Sequence, residues 1–587
     1  MTQLSDEQLM LLEQLTYFDN DIKKAAGISA DGTLSGLDEQ STIGDLIDNY
    51  TDAIDNLRSK GNKAISNEMT GNEIAALIEA IQEDEELKNL RLQTKDNSSG
   101  AYCFTDSSGE AVVIFRGTAD GDEWYDNFTG LGTSDTKVQK ETHDFIENLP
   151  YDDITVVGHS KGGNKAMYVA IVSDKVSRAI SMDGQGFSQE FIHKYEEEIR
   201  KKGNIITNYS LSADFVHILL YQPDGSRQVY IEGNDYVSGK KNHCPANLFR
   251  FVQDENGNWK IETGEDGKPS IHITAENEGV AYLHRFTIFV LENCPIEDRV
   301  IIGDYLGHIM GCAMRPNSYW FKDADGTVYD SSNIKEYIFK HPDILGLILG
   351  YVIKYGENYN LTDKQIAGLL DLMGLREIIL LFQAAIQAYA ISHPIEAVVL
   401  NLAGLTITEL LKLFLGNIVD GKRDPIIEGL LAWISGWLSE QLGFPLNLDG
   451  LWRSIEESYT AIGDVNAQTG RLVTMESESR VFDYSQKTYN TLLDTLSKID
   501  NYTSGSISSW DRNYSSEKWY NDLSISLFVN GIESYSEYIK NINEECRRQI
   551  VEIFNRVWTI DHEKAGQLMK YLDDMAALEY KITNILG

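Results

Sequence analysis

The sequence predicts an α/β domain with a mainly parallel sheet and helices on both faces, followed by an all-α apolar region and a long helical hairpin. Three observations carry that prediction. Between about residues 100 and 215, apolar β-branched runs such as "ITVV" alternate with helical stretches, as in a sheet buried on both faces. Beyond about 335 the chain becomes helical and far more apolar. From about 450 onward, apolar residues recur at heptad-like spacing on acidic segments. A chain of 587 residues exceeds one ordinary core, and the expected divisions are 1–300, 301–449 and 450–587.

The elements follow in order. "MTQLSDEQLMLLEQLTYFDN" reads as an acidic amphipathic helix with Leu4, Leu9, Leu12 and Leu15 near one face, without the basic start and apolar core of a signal peptide. The rest of the first hundred residues reads as helices joined by polar loops such as "KDNSSG". "YCFTDSSGEAVVIFRGT" is two β-rich runs around a turn, a hairpin signature. A helix over 136–149, the strand "DITVVGH", a helix after Ser160, the strand "RAISMD" and the strand-like "NIITNYSLSADFVHIL" complete the alternation. "DENGNWKIETGEDGK" reads as a polar hairpin.

The apolar run continues through "DILGLILGYVIKYG", "REIILLFQAAIQAYAIS", "EAVVLNLAGLTITELLKLFLGNIV" and "IIEGLLAWISGWLSEQLG". Gln383, Gln387, Glu409 and Lys412 interrupt it, so a buried helical bundle is preferred to membrane insertion. Three stripes mark the last segment: Trp452, Ile455, Tyr459 and Ile462; then Ile532, Tyr535, Ile539, Ile542 and Cys546; then Leu568, Leu572, Met575, Ile582 and Ile585. Narrow stripes on acidic helices require a partner helix.

A formal charge of −39 argues against nucleic acid, which would be repelled, and against simple adsorption to an anionic membrane. Five cysteines are scattered and show no CxxC spacing, so neither a disulfide framework nor a zinc site is expected.

The chemistry centres on "GHSKG", which fits G-x-S-x-G between an apolar strand and a helix rich in small residues. Gly158 and Gly162 leave room for the tight turn, and a serine at a helix N-terminus has free N–H groups beside it. In α/β-hydrolases, whose serine turn "GHSKG" resembles, the chain order is serine, acid, histidine, which implies that His143 and His159 are not the base. Asp214 at the end of a strand and His243 in "SGKKNHCPANLF" complete the preferred set Ser160, Asp214, His243. Asp183 is the second choice of acid, His217 reads as packing or pocket wall, and His272 and His284 stay open as bases. The oxyanion donors expected are Thr118, by N–H or hydroxyl, and the N–H of Lys161.

The order "FRGT", "GHSKGG", an Asp after a strand and a His on a loop resembles class 3 lipases and, more closely, the Mbeg-like lipase-related α/β-hydrolases of bacteria. "LSDEQLMLLEQLTYF" and "SKGGNKAMYVA" look alike between them, and the resemblance covers roughly residues 1–290. It implies that Ser160 is the nucleophile and Thr118 an oxyanion donor. The C-terminal segment resembles the LXG or WXG-type targeting domains of Gram-positive type VII secretion, and the whole a reverse-arranged type VII secreted lipase toxin. The resemblance implies a secreted esterase of phospholipase A type, acting on lipid or phospholipid with no metal or organic cofactor. It also implies small helical type VII accessory proteins at the C-terminal domain and an immunity protein. Neither a Y-x-x-x-D/E signal near the C-terminus nor a W-x-G at the bend is present, so a small helical partner is expected to supply the export signal. Two other readings are a secreted helical interaction or membrane-active protein with a non-catalytic hydrolase scaffold, and a cytoplasmic esterase with a helical oligomerisation tail.

Overall fold

A computed structural model describes residues 4–468 apart from 30, 235–238, 265–266, 315–317, 359–360, 394–401, 403–417, 420–421, 424 and 447. The chain divides into two compact units, Met1–Ile462 and Gly463–Gly587, and the described residues lie almost wholly in the first. The second and third C-terminal stripes, and most of "EAVVLNLAGLTITELLKLFLGNIV", lie outside the described residues.

One eight-stranded sheet organises the first unit. Its strands are β1 (Arg91–Asp96), β2 (Ala101–Thr105), β3 (Ala111–Phe115), β4 (Ile154–His159), β5 (Val176–Met182), β6 (Ile206–Leu211), β7 (Arg227–Ile231) and β8 (Ile273–Thr274), and they lie side by side in chain order. β1, β2 and β3 are antiparallel neighbours, β3 through β7 are parallel, and β8 returns antiparallel on β7. The expected hairpin is β2–β3, with Ala101 opposite Phe115.

Seven helices matter for the site: α1 (Asp6–Glu13), α2 (Gly71–Glu83), α3 (Gly121–Thr129), α4 (Lys137–Asn148), α5 (Lys161–Val172), α6 (Glu278–Asn293) and α7 (Ile296–Met314). Parallel strands added always in one direction, through right-handed crossovers, put every connecting helix on the same face. That face is packed by α4 and α5, whose Ile146, Met167 and Ile171 share a core with Cys103, Val113, Phe115, Val156 and Ala179. The opposite face would be left open, and the N-terminal helices fill it. Leu9, Leu12, Ile74 and Ile78 pack there with Phe104, Ile114, Val157 and Met182. The two sets of strand residues alternate along each strand, as the pleat requires.

Three sequence expectations need correction. Residues 91–96 form an edge strand rather than helix or loop; Leu92 is its one fully buried side chain, too weak an alternation to be legible. The first helix is not one-sided: Gln8, Met10, Leu11 and Glu13 are buried along with Leu9 and Leu12, because the helix lies inside the layer covering the sheet. The strand expected through "SADFVHIL" stops at Leu211, where the Asp214 carboxylate accepts the N–H groups of Val216 and His217 and closes a turn.

Beyond the sheet, the helices from α7 to Leu448–Gln468 share a second core that includes Tyr305, Ile353, Phe382, Leu430, Ile434, Trp452 and Ile455. Among the described residues no helix is long and apolar enough to cross a membrane. α7 lies against α3 through a glycine stripe. A Cβ at Gly303, Gly307 or Gly311 would stand 2.6, 2.9 and 2.9 Å from the carbonyl oxygens of Phe128, Tyr125 and Gly121. Only glycine permits that approach, so the helical region grips the segment that follows Thr118.

Candidate active site

The site is built at the C-terminal ends of the parallel strands, where Thr118 follows β3, Ser160 follows β4, Asp183 follows β5 and Asp214 follows β6. Ser160 has φ 58° and ψ −123°, a backbone conformation costly for a residue with a Cβ. Two close approaches require that geometry. A Cβ on Gly158 would stand 2.3 Å from the backbone of Gly162, and one on Gly162 would stand 2.1 Å from the carbonyl oxygen of Phe115. The Ser160 N–H donates to Met182 O at 2.8 Å, so the strained turn is anchored to β5.

The first turn of α5 anchors the serine from the other side. Lys161 and Lys165, both buried, place their Nζ 2.6 Å from Asp126 Oδ2 and 2.6 Å from Glu123 Oε1. Lys165 also donates to the carbonyls of Ser99 and Arg116, and Asn164 donates to those of Gln185 and Gly186. Burial pulls the Lys165 ammonium below its ordinary range, and the Glu123 charge opposes that. Arg116 reaches the other oxygen of Glu123 at 3.6 Å.

His243 Nε2 lies 2.9 Å from Ser160 Oγ, and His243 Nδ1 lies 2.7 Å from Asp214 Oδ1. The structure thus brings Ser160, His243 and Asp214 together in one hydrogen-bonded line. Asp214 is fully buried; burial alone would raise its carboxyl, but the neighbouring His243 and the bonds from His217 and His243 hold it well below the usual carboxylate range. An imidazole so oriented by a carboxylate takes a proton from a serine hydroxyl and turns it into a nucleophile.

The rival residues fall elsewhere. The Asp183 carboxylate accepts the Leu211 N–H at 2.8 Å, and its other oxygen lies 3.7 Å from His159 Nε2. Burial, then the charge of Asp214, pushes the Asp183 carboxyl well above its ordinary value. His159, whose Nδ1 is 2.5 Å from Tyr17 Oη, is held well below its ordinary value by burial and by His243. His272 faces Glu262 at 2.8 Å, and His284 faces Glu276 at 3.9 Å. His217, expected as packing or pocket wall, directs its Nδ1 to Asp214 Oδ2 at 3.0 Å.

Thr118 Oγ1 accepts from Asn127 Nδ2 at 3.0 Å, which leaves its own O–H to donate. The preceding Gly117 brings its Cα hydrogens against the carbonyl of His159: a Cβ there would stand 3.2 Å from that oxygen, so Thr118 starts next to the strand-to-helix elbow that carries Ser160. Lys161 is the first residue of α5, where an N–H has no intrahelical acceptor.

His159, Asp183 and His243 bring ligand-type atoms within 4.8 Å of one another, as do Asp183, Asp214 and His217. Both ring nitrogens of His243 and of His217 already face hydrogen-bond partners, so the set reads as an array that holds protons rather than a metal.

Residues 84–236 match the model of the Mbeg1-like family. The Mbeg1-like segment carries β1 through β7, and with them Thr118, Ser160, Lys161, Asp183 and Asp214; His243 lies just past its end. No curated protein and no solved structure matches the chain.

Several site residues escaped the sequence. Glu276 carries no motif, and Tyr17 lies inside "LSDEQLMLLEQLTYF" with nothing there that marks it as a site residue. The lysines did leave a signal: Lys161 and Lys165 are four apart, on one face of a helix otherwise made of small and apolar residues.

Proposed function

We propose that the protein is a serine esterase that hydrolyses carboxylic esters of lipids, most simply phospholipids in the manner of a phospholipase A. The observation that carries the reading is the line Ser160 Oγ–His243 Nε2 at 2.9 Å and His243 Nδ1–Asp214 Oδ1 at 2.7 Å, on a strained strand-to-helix turn. The Mbeg1-like match is compatible with a lipase-related hydrolase.

In the proposed reaction Ser160 Oγ attacks the ester carbonyl while its proton passes to His243 Nε2. The Thr118 hydroxyl and the Lys161 N–H donate to the tetrahedral oxyanion. His243 returns the proton to the leaving alcohol, and an acyl ester remains on Ser160. Water, deprotonated by His243, releases the fatty acid and restores the serine. The preference for a lipid rests on the family resemblance and on the apolar helices that follow the sheet.

The test is ester hydrolysis on a panel from short-chain nitrophenyl esters to diacyl phospholipids, with S160A and H243A beside the wild type. Loss of about 10⁴-fold or more in kcat in both variants is expected. Wild-type-like turnover in S160A would remove the reading.

We extend the proposal to the molecule's setting. Residues 301–449 act as a helical region over the hydrolase domain 1–300, and 450–587 as an LXG-like targeting domain for type VII export, bound by small helical accessory proteins. An immunity protein in the producing cell would neutralise the esterase. Protein that appears in the medium of unlysed cells, and stays inside when 450–587 is removed, is the expected result. Retention of the full chain would favour a cytoplasmic esterase.

A further inference from the structure

Asp214 holds two imidazoles, not one. Oδ1 takes His243; Oδ2 takes His217 Nδ1 at 3.0 Å together with the backbone N–H groups of Val216 and His217. The far nitrogen, His217 Nε2, lies 3.0 Å from Glu276 Oε1. A ring with a carboxylate oxygen at each nitrogen satisfies both contacts only when both nitrogens carry a proton, that is, as imidazolium. Glu276 comes from the loop between β8 and α6, and the Asn277 N–H donates to Ser212 O at 2.9 Å, which docks that loop on the turn carrying Asp214.

The geometry points to His217 and Glu276 as positioning residues for the esterase reaction proposed above: a second imidazolium–carboxylate pair, placed behind Asp214, that fixes its orientation and sets how strongly it attracts a proton onto His243. The inference rests on that reaction for its kinetic readout.

The charges that face this array come from every element around it. Asp183, at the end of β5, has its carboxyl pushed well above its ordinary value by burial and by Asp214, which favours its neutral form. His159, at the end of β4, and His284, on α6, are held neutral, the latter pushed down to about 4 by burial against the pull of Glu276. Tyr230, on β7, is held neutral by burial. Arg285 lies beside His284. For His217 burial opposes charge, but its bonds to Asp214 and Glu276 outweigh it and push it up to about 10. The groups that reach His243 through hydrogen bonds are Asp214, His217 behind it and the Glu276 carboxylate behind His217.

Opposite shifts follow. H217Q removes the cation and leaves Asp214 less balanced, so imidazolium at His243 is favoured and the acid limb of kcat/KM moves to higher pH. E276Q removes an anion, and the limb moves to lower pH. Each shift is expected to be on the order of one pH unit, and H217Q/E276Q together is expected to return the limb to near the wild-type position. A merely structural role would not give shifts of opposite sign that cancel.

The experiment is the pH–rate profile of the full chain on a nitrophenyl ester for wild type, S160A, H217Q, E276Q and the double variant, with thermal unfolding of each. It is paired with NMR titration of histidine 13Cε1, the His243 signal being assigned by its loss in H243A. Opposed kinetic shifts and matching shifts of the His243 midpoint support the pair. Shifts of the same sign, or none, in folded variants overturn it, even where S160A is inactive and the esterase reading stands. If S160A keeps activity, the esterase reading fails, and the NMR midpoints alone decide the pair. If H217Q does not fold, E276Q against E276D, which keeps the charge and should leave the limb in place, still decides it.

Discussion

The two halves of the candidate site are held by different physics. Ser160 sits on a strand-to-helix turn clamped by two buried lysine–carboxylate pairs, Lys161–Asp126 and Lys165–Glu123, and by backbone bonds to β5. His243 ends a short 3₁₀ turn, Gly239–His243, tied down by Lys241 to Glu73 at 2.9 Å and by Asn247 to the Lys241 carbonyl at 2.8 Å. The nucleophile is fixed by close backbone approach, whereas the base is carried by irregular chain and located through its hydrogen bond to Asp214. A strained serine tolerates no displacement, while an imidazole on a loop can tighten onto its partners as substrate binds.

The largest expected effect therefore lies on the base side. Asp214→Asn keeps the shape but no longer balances an imidazolium at His243 or at His217, and kcat should fall by about 10⁴-fold, with a lower thermal midpoint because a buried carboxylate held well below its ordinary range is lost. An activity loss no larger than the fall in folded population at the assay temperature would instead make Asp214 a structural acid. On the nucleophile side, Lys165→Met leaves Glu123 as a buried charge held by the Ala119 N–H at 2.7 Å and by Arg116 at 3.6 Å. Breaking such a pair costs about 3–5 kcal/mol, to be read as a lower denaturant midpoint before any change in KM. Thr118→Val removes one oxyanion donor while keeping the shape, and should lower kcat by about 10²–10³-fold with KM nearly unchanged.

The same contrast explains what was legible in the sequence. The elbow is local: five consecutive residues, an apolar strand before them and small residues after them specify Ser160, and the end of β3 specifies Thr118. Asp214 and His243 were reached by chain order and by their place at a strand end and in a loop, and the geometry joins them to Ser160. The role of His217 was hidden because three residues of spacing suggested one continuous strand, whereas Asp214 itself ends that strand by capturing the next N–H groups. Edge strand β1 was hidden because an edge needs few apolar residues. The N-terminal helices gave no sign that they cover a sheet face, since that follows from strand order, a property of the whole topology.

The smallest expected effect on activity belongs to Asp183, and its sign sharpens the choice between the two acids. Its backbone has φ 47°, a left-handed conformation that asparagine also adopts readily. Burial and the Asp214 charge push its carboxyl well above the ordinary range, which favours the neutral form. Asp183→Asn thus replaces a side chain biased toward its neutral form with a neutral one of the same shape, and kcat should change by less than about threefold, under 1 kcal/mol. Stability moves the other way from the usual carboxylate. A group whose folded pKa is raised contributes most below its unfolded value, and that contribution is lost as pH rises through the folded value. Wild type should therefore lose stability relative to Asp183→Asn as pH increases above about 4, the unfolded value of an aspartate, with the two converging at lower pH. Thermal midpoints of both proteins across pH 4 to 8, measured beside their activity, check it. A large loss of activity with no pH-dependent gain in stability would make Asp183, rather than Asp214, the acid on which His243 depends.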